Sequence, residues 1–307
     1  MTNQSAMRAA VIGLGRMGMH HVRACTDASN LNLVAVFDQR ADVTRRVAED
    51  TGSQAAASLE SLHGQIDVAV VAVSTQHHAD SAVSLLQSGV SCLVEKPISA
   101  TEAEAVAMIE AASDGGAHLR IGHVERFNPA ITLLKSTLDA DLKNGDKIES
   151  LSARRLNLAA DRTYDVDAVL DLMIHDLDLL NTMAVGTITS VECASGSTEH
   201  RTTATLKLDS GVSASFDVSR VAETQDRSLT IETTGSTLDL DFTAKTVTRT
   251  VNGMAEPLGI DAIDPLRAQL ASFIAAVGDA ESDVATGQEG LAALQLANRI
   301  RTSAGLL

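Results

Sequence analysis

The sequence contains no tryptophan and a single tyrosine, Tyr164, so it lacks the run of aromatic platforms on which successive nucleobases stack. Its three cysteines, Cys25, Cys92 and Cys193, are scattered and odd in number. That excludes a disulfide framework and a C-x-x-C zinc knuckle, and it fits a reducing, cytoplasmic compartment. Positive charge is scarce as well. With 24 Lys and Arg against 40 Asp and Glu, the net charge of −16 argues against a general binder of nucleic acid or anionic membrane. Any anionic ligand must therefore meet a local basic cluster. No apolar run is long enough to span a bilayer, and the polar start Met1–Ser5 leads into an apolar run too short for a signal segment. What is present is ordinary globular material: 45% hydrophobic residues in 307, enough chain for two cores.

The first half alternates strands and helices. Arg8–Ile12 is a short apolar run that ends in Gly13-Leu14-Gly15-Arg16-Met17-Gly18, and a helical pattern follows. Strand, glycine turn and helix form the context in which G-x-G-x-x-G signals a dinucleotide. Gly13 permits the tight turn, Gly15 lets a pyrophosphate approach the backbone, and Gly18 lets helix and strand pack closely. The helix N-terminus, from Arg16 and Met17 onward, offers free N–H groups to the phosphates. A second apolar run, Leu33–Phe37, ends at Asp38, where an acid can accept hydrogen bonds from an adenosine ribose and repel a 2′-phosphate. This favours NAD over NADP, although Arg40 could pair with a phosphate. The strand Asp67–Val73 exits into Ser74, Thr75, His77 and His78 on the side where ligands bind, with one of the two histidines lining the cofactor cleft. The strand Ser91–Val94 runs into Glu95-Lys96-Pro97, which places Lys96 at a carboxyl edge because proline ends the strand. A capping box, Thr101 with Glu104, opens the next helix. Repeated units of this kind predict a doubly wound parallel sheet over residues 1–122.

The pattern changes over residues 123–307. Asn128 as N-cap and Pro129 at N1 predict a helix to about Ala140, and a strand follows near Ile148–Leu156. The segment Asp165–Leu180 reads as one largely apolar helix. On it, Asp167, Asp171, His175 and Asp178 recur at helical spacing as a polar stripe. Buried acids are costly unpaired, so the stripe must face a cleft, another chain or an ion. Asp171 and His175 stand one turn apart, close enough for a carboxylate to hold an imidazole. A metal set is not completed, since no further His/Cys cluster lies nearby. From Ile188 to about Gly259 period-two alternation predicts an antiparallel sheet with one buried face and one rich in Ser and Thr. That second face suits solvent or a self-complementary subunit contact. Two amphipathic helices, about Pro265–Val277 and Gly287–Arg301, close the chain. The fold class expected is α/β: a Rossmann doubly wound domain followed by an α+β domain with a mainly antiparallel open sheet.

These residues resemble the glucose-fructose oxidoreductase / inositol dehydrogenase (Gfo/Idh/MocA) family over essentially the whole length. The resemblance is carried by the glycine motif, Glu95-Lys96-Pro97 and the Asp171-x-x-x-His175 helix, in that order. More narrowly, the stretches 122–129 and 170–176 resemble a UDP-N-acetylglucosamine 3-dehydrogenase-like branch. The chain departs from the family pattern at Val166-Asp167, where a glycine pair is frequent, and at Ser74, where many relatives carry proline. The resemblance implies that Lys96, Asp171 and His175 are catalytic, and that NAD contacts Gly13, Gly15, Arg16, Met17, Gly18, Asp38, Ser74, Thr75, His78, Glu95 and Lys96. It also implies a dimer or tetramer formed through the C-terminal sheet. A secondary sugar alcohol would be oxidised to a ketone, with either His175 or Lys96 taking the proton. Arg126, Arg154, Arg155 and Arg162 are expected near a diphosphate because guanidinium pairs bidentately with phosphate oxygens. Lys96, Asn128, Tyr164 and His175 complete the expected substrate contacts, with Tyr164 or Phe127 stacking on a uracil. An inositol or free-sugar dehydrogenase is the alternative within the class. A non-catalytic dinucleotide sensor is the alternative outside it.

Overall fold

A computed structural model describes residues 6–161, 163–183 and 185–307, and the chain divides into two units. The first runs to Val124 and takes in Leu266–Leu291; the second comprises Glu125–Pro265 and Ala292–Leu307.

The first unit alternates as its sequence pattern requires. Its elements are β1 (Met7–Ile12), α1 (Arg16–Asp27), β2 (Leu31–Phe37), α2 (Ala41–Thr51), β3 (Gln54–Ala55), β4 (Val68–Val71), α3 (His78–Gln87), β5 (Ser91–Glu95), α4 (Glu102–Gly115) and β6 (Leu119–Gly122). These strands lie in the order β6-β5-β4-β1-β2-β3, all parallel, and one short antiparallel strand from near the C-terminus is added beside β6. Every residue of β4 and β5 is buried, as expected of strands covered on both faces. The order reverses between β1 and β4, and that switch point is where doubly wound sheets bind ligands. The capping box forms: Thr101 accepts from the Glu104 N–H while Glu104 accepts from the Thr101 N–H.

The second unit opens with α5 (Pro129–Lys143), capped by Asn128 Oδ1 on the Ala130 N–H, and β7 (Ile148–Leu158). A π-helical turn, Val169–Met173, leads directly into α6 (Ile174–Thr182). Seven strands follow: β8 (Ile188–Cys193), β9 (Arg201–Leu208), β10 (Ser213–Ala222), β11 (Asp226–Thr233), β12 (Thr237–Asp241), β13 (Thr246–Val251) and β14 (Met254–Leu258). The eight-stranded sheet is ordered β14-β13-β12-β11-β7-β10-β9-β8, antiparallel except for the parallel pair β7–β10. One face is buried through Leu151, Ala153, Phe216, Val218, Leu229 and Ile231. The other carries Ser152, Arg154, Thr203, Ser215, Asp217 and Thr230, with Thr203 bonded to Asp217 and Thr230 to Asp239. The C-terminal elements are α7 (Pro265–Val277), a short β15 (Ala285–Thr286) antiparallel to β6, and α8 (Gly287–Ser303).

The helix expected over Asp165–Leu180 forms from Val169 onward, but its first turn, Val169–Met173, is π-helical. The wider π turn advances the chain by one residue relative to an α-helix. Three of the four polar residues, Asp167, Asp171 and Asp178, meet different arginines, described below.

Candidate active site

In the first unit the glycine turn follows β1 at the switch point. Gly13 has φ +88°, and a Cβ there would lie 2.6–2.7 Å from the backbone of Ala72 and Val73, so only glycine fits. A Cβ on Gly18 would run into the carbonyl oxygen of Gly13. Gly15, by contrast, has nothing within 4 Å of where its Cβ would point, and it is the N-cap of α1 with no side chain closing the helix end. An open approach to an uncapped helix N-terminus is the cradle that a pyrophosphate needs. Asp38, just past β2, accepts the Leu14 N–H at 2.8 Å, which ties the acid to the turn. Arg40 grips the same carboxylate through Nε at 2.9 Å and Nη2 at 3.0 Å. The Arg40 hydrogen bond holds the Asp38 carboxyl at about 2, so it stays ionised at any working pH.

Lys96 is the one half-exposed residue in the otherwise buried run from Ser91 to Ser99. Two residues expected to contact the cofactor turn inward instead. His78 is 1% exposed, and its Nδ1 and Nε2 lie within hydrogen-bond distance of the carbonyls of Pro97 (2.9 Å) and Val73 (3.3 Å). It thus anchors the chain beyond Lys96, while His77 is the exposed member of the pair, 4.0 Å from Asp80. The Glu95 carboxylate is likewise buried, 2.7 Å from His21 Nε2. Ser74 is exposed and Thr75 buried at the turn after β4.

In the second unit, Asp171 lies in the π turn and His175 in the first turn of α6. Asp171 Oδ2 is 3.4 Å from Nε of Arg220, a residue only 3% exposed. Arg220 also donates to the Val166 carbonyl at 2.7 Å and lies 3.9 Å over the ring of Tyr164. It therefore ties the acid, the entry to the turn and the only tyrosine together. The neighbouring aspartates are paired in the same way. Asp167 takes Arg301 at 2.7 Å and caps the N–H groups of Val169 and Leu170. Asp176 takes Arg155 through two bonds of 2.8 Å, and Asp178 takes Arg126 through bonds of 2.8 and 2.7 Å.

Several residues expected to meet substrate have protein partners in this structure. Arg126 and Arg155 are committed bidentately to carboxylates, and Arg155, wholly buried, gives its remaining Nη1 to Glu125. Asn128 uses its oxygen for the helix cap and its amide for Glu125. Arg154 follows β-strand alternation to the face opposite Arg155 and α6, where it meets Asp226 and Asp217. Arg162 lies outside the described residues. Residues that sequence reasoning missed are His21, whose only signal was a histidine on the apolar side of the glycine-motif helix, and Arg220, which nothing in its strand pattern set apart.

A glycine cradle at the switch point, an ionised acid after β2 and a lysine at the β5 edge define an oxidoreductase that binds a nicotinamide dinucleotide through a Rossmann fold. Residues 7–123 match the oxidoreductase family with the NAD-binding Rossmann fold, and 149–239 match the GFO/IDH/MocA C-terminal domain. The chain belongs to the Gfo/Idh/MocA family. It is 29% identical to UDP-N-acetylglucosamine 3-dehydrogenase of Acidithiobacillus ferrooxidans over 97% of both chains. The solved structure of that protein superposes with a TM-score of 0.88 over 98% of each chain. An inositol 2-dehydrogenase of Renibacterium salmoninarum is 30% identical, but over 61% of this chain and 57% of its own. The WlbA dehydrogenase from Bordetella pertussis, solved with NADH and UDP-GlcNAcA, shares the fold at 20% identity and a TM-score of 0.82, over 98% of this chain and 96% of its own.

Proposed function

We propose that the protein is an NAD-dependent dehydrogenase that oxidises a secondary hydroxyl of a nucleotide sugar, such as UDP-N-acetylglucosamine at C3, to a ketone. The observation that carries this reading is the end-to-end similarity to a UDP-N-acetylglucosamine 3-dehydrogenase, where the inositol relative matches only in part. NAD, when bound, supplies the hydride acceptor. The residues of the chain do the rest. Gly13, Gly15 and Gly18 with the start of α1 bind the pyrophosphate, and Asp38 receives the adenosine ribose. His175 acts on the proton of the reacting hydroxyl, Asp171 orients the imidazole and stabilises it once charged, and Lys96 hydrogen-bonds the same oxygen as negative charge develops. Tyr164, braced on Arg220, is the aromatic wall of the sugar-nucleotide side. The Ser/Thr-rich open face of the eight-stranded sheet is the surface we assign to a homodimer or homotetramer. Free thiols at Cys25, Cys92 and Cys193 suit the cytoplasm. Among the described residues no helix is long and apolar enough to cross a membrane.

Two measurements check this. Purified protein with NAD should form NADH with UDP-N-acetylglucosamine and not with free N-acetylglucosamine or inositol. Oxidation of inositol alone would transfer the assignment to the cyclitol enzymes, and NADH binding without turnover of any alcohol would leave a sensor. Asp38→Ala should raise KM for NAD about tenfold or more and leave that for NADP nearly unchanged. Equal effects on both would remove Asp38 as the ribose acceptor.

A further inference from the structure

Three neighbouring strands of the eight-stranded sheet each turn an arginine toward the π turn and α6, and two of the three are matched to acids. Arg155 lies on β7, Arg220 near the end of β10 and Arg227 at the start of β11. Arg155 is spent on Asp176 and Glu125, and Arg220 reaches Asp171 and the Val166 carbonyl. Arg227 stands directly opposite Arg155 in the antiparallel register of β11 and β7. Opposed side chains of such a pair lie on one face, so Arg227 shares the side of the sheet that meets α6.

Arg227 has no such match. Its Nε is buried without a hydrogen-bond partner, and among the described residues no carboxylate or carbonyl takes any of its five side-chain N–H groups. The charges that reach it come from Arg155 and from Glu125, Asp176 and Asp171. Each of those acids already meets another donor. Glu125 takes Arg155 and Asn128, Asp176 takes Arg155 twice, and Asp171 stands at Arg220. Leaving buried donors unused costs free energy, and the residue is only half-buried, so a ligand can reach it. Asp171 orients the imidazole at the reacting hydroxyl, and an anion that comes to Arg227 on the same face is therefore carried by the substrate. A guanidinium fork matches the paired oxygens of a phosphate. Arg126, Arg154 and Arg155, expected at a diphosphate, hold carboxylates instead.

We infer that Arg227 binds the diphosphate of the nucleotide-sugar substrate. This rests on the reading of the protein as a nucleotide-sugar dehydrogenase.

Calorimetric titration of the NADH-loaded protein with UDP and with uridine tests it. UDP should bind the wild-type protein about tenfold or more tightly than uridine. Arg227→Met should weaken UDP about 10- to 100-fold, the range of a hydrogen bond to a charged group, and leave uridine unchanged. Arg227→Lys, which keeps the charge and loses the fork, should fall between the two. In turnover of UDP-N-acetylglucosamine, KM should rise by a similar factor while kcat changes less than about threefold. Because no protein partner is lost, Arg227→Met should unfold at the wild-type urea concentration and bind NADH as before. Unchanged UDP affinity in Arg227→Met overturns the inference. So does a wild-type protein that binds UDP no better than uridine, or a variant that loses UDP, uridine and NADH together, which marks a structural role. If the wild-type protein binds UDP but oxidises no UDP-sugar, and Arg227→Met loses the UDP, the diphosphate site stands and the sugar-oxidation reading falls.

Discussion

Replacing His175 by alanine should lower kcat by a factor of about 10² to 10⁴, the usual contribution of a positioned proton acceptor. Lys96→Ala should produce a loss of similar size by removing the donor at the developing oxyanion. Both variants should still bind NADH, read as enhanced nicotinamide fluorescence on titration, because the glycine turn and Asp38 are untouched. A fall in kcat and kcat/KM together would mean that the lost interaction is made in the transition state. Asp171→Asn should be milder in binding and severe in turnover, since Arg220 would keep the side chain in place while the imidazole loses its charged partner. If His175→Ala and Lys96→Ala both turn over at the wild-type rate, the catalytic assignment falls.

The largest expected effect on stability lies at Arg155. This guanidinium is wholly buried, paired to Asp176 and Glu125, and lies 4.8 Å from the ring of Phe242. Burial alone would lower its proton affinity, yet the two carboxylates raise it. Removing Asp176 leaves Glu125 alone to offset a wholly buried guanidinium and strips it of two hydrogen bonds, so Asp176→Ala should cost about 3–5 kcal/mol in urea unfolding. The neighbouring residue supplies the control. Arg154 is 47% exposed by side chain and bridges Asp226 on the open face, and Arg154→Ala should cost less than about 1 kcal/mol. Comparable losses at the two positions would contradict the alternation of β7. Replacing Arg155, Asp176 and Glu125 together by apolar residues of similar volume should be far less damaging than the single change, because the desolvation penalty disappears with the charges.

Much of this architecture was legible in the residues. The βα units, the proline stop after Lys96, the Thr101/Glu104 capping box and the Asn128–Pro129 helix start all rest on local rules, and all were found where those rules put them. The sequence was less informative where distant residues decide. Periodicity of 3.6 joined Asp167, Asp171, His175 and Asp178 into one stripe, and it could not register the π turn at Val169–Met173. There, Arg301, Arg220 and Arg126 each meet one of three aspartates from distant parts of the sequence. The arginines near the site were visible as cations, but nothing local told which were already matched to a carboxylate. His78 follows a strand end and Glu95 was implied by the resemblance, but nothing local told that both are buried with partners in the backbone around Lys96.

The parallel pairing of β7 with β10 sets the order in which the second unit can assemble. β7 is flanked by β10 and β11, so during synthesis it waits with both edges bare until Ser213 and the residues after it have emerged. Long-range pairing of this kind slows folding and exposes a template for intermolecular strand addition. A product that stops before β10 would carry the helix bearing His175 without either strand that flanks β7.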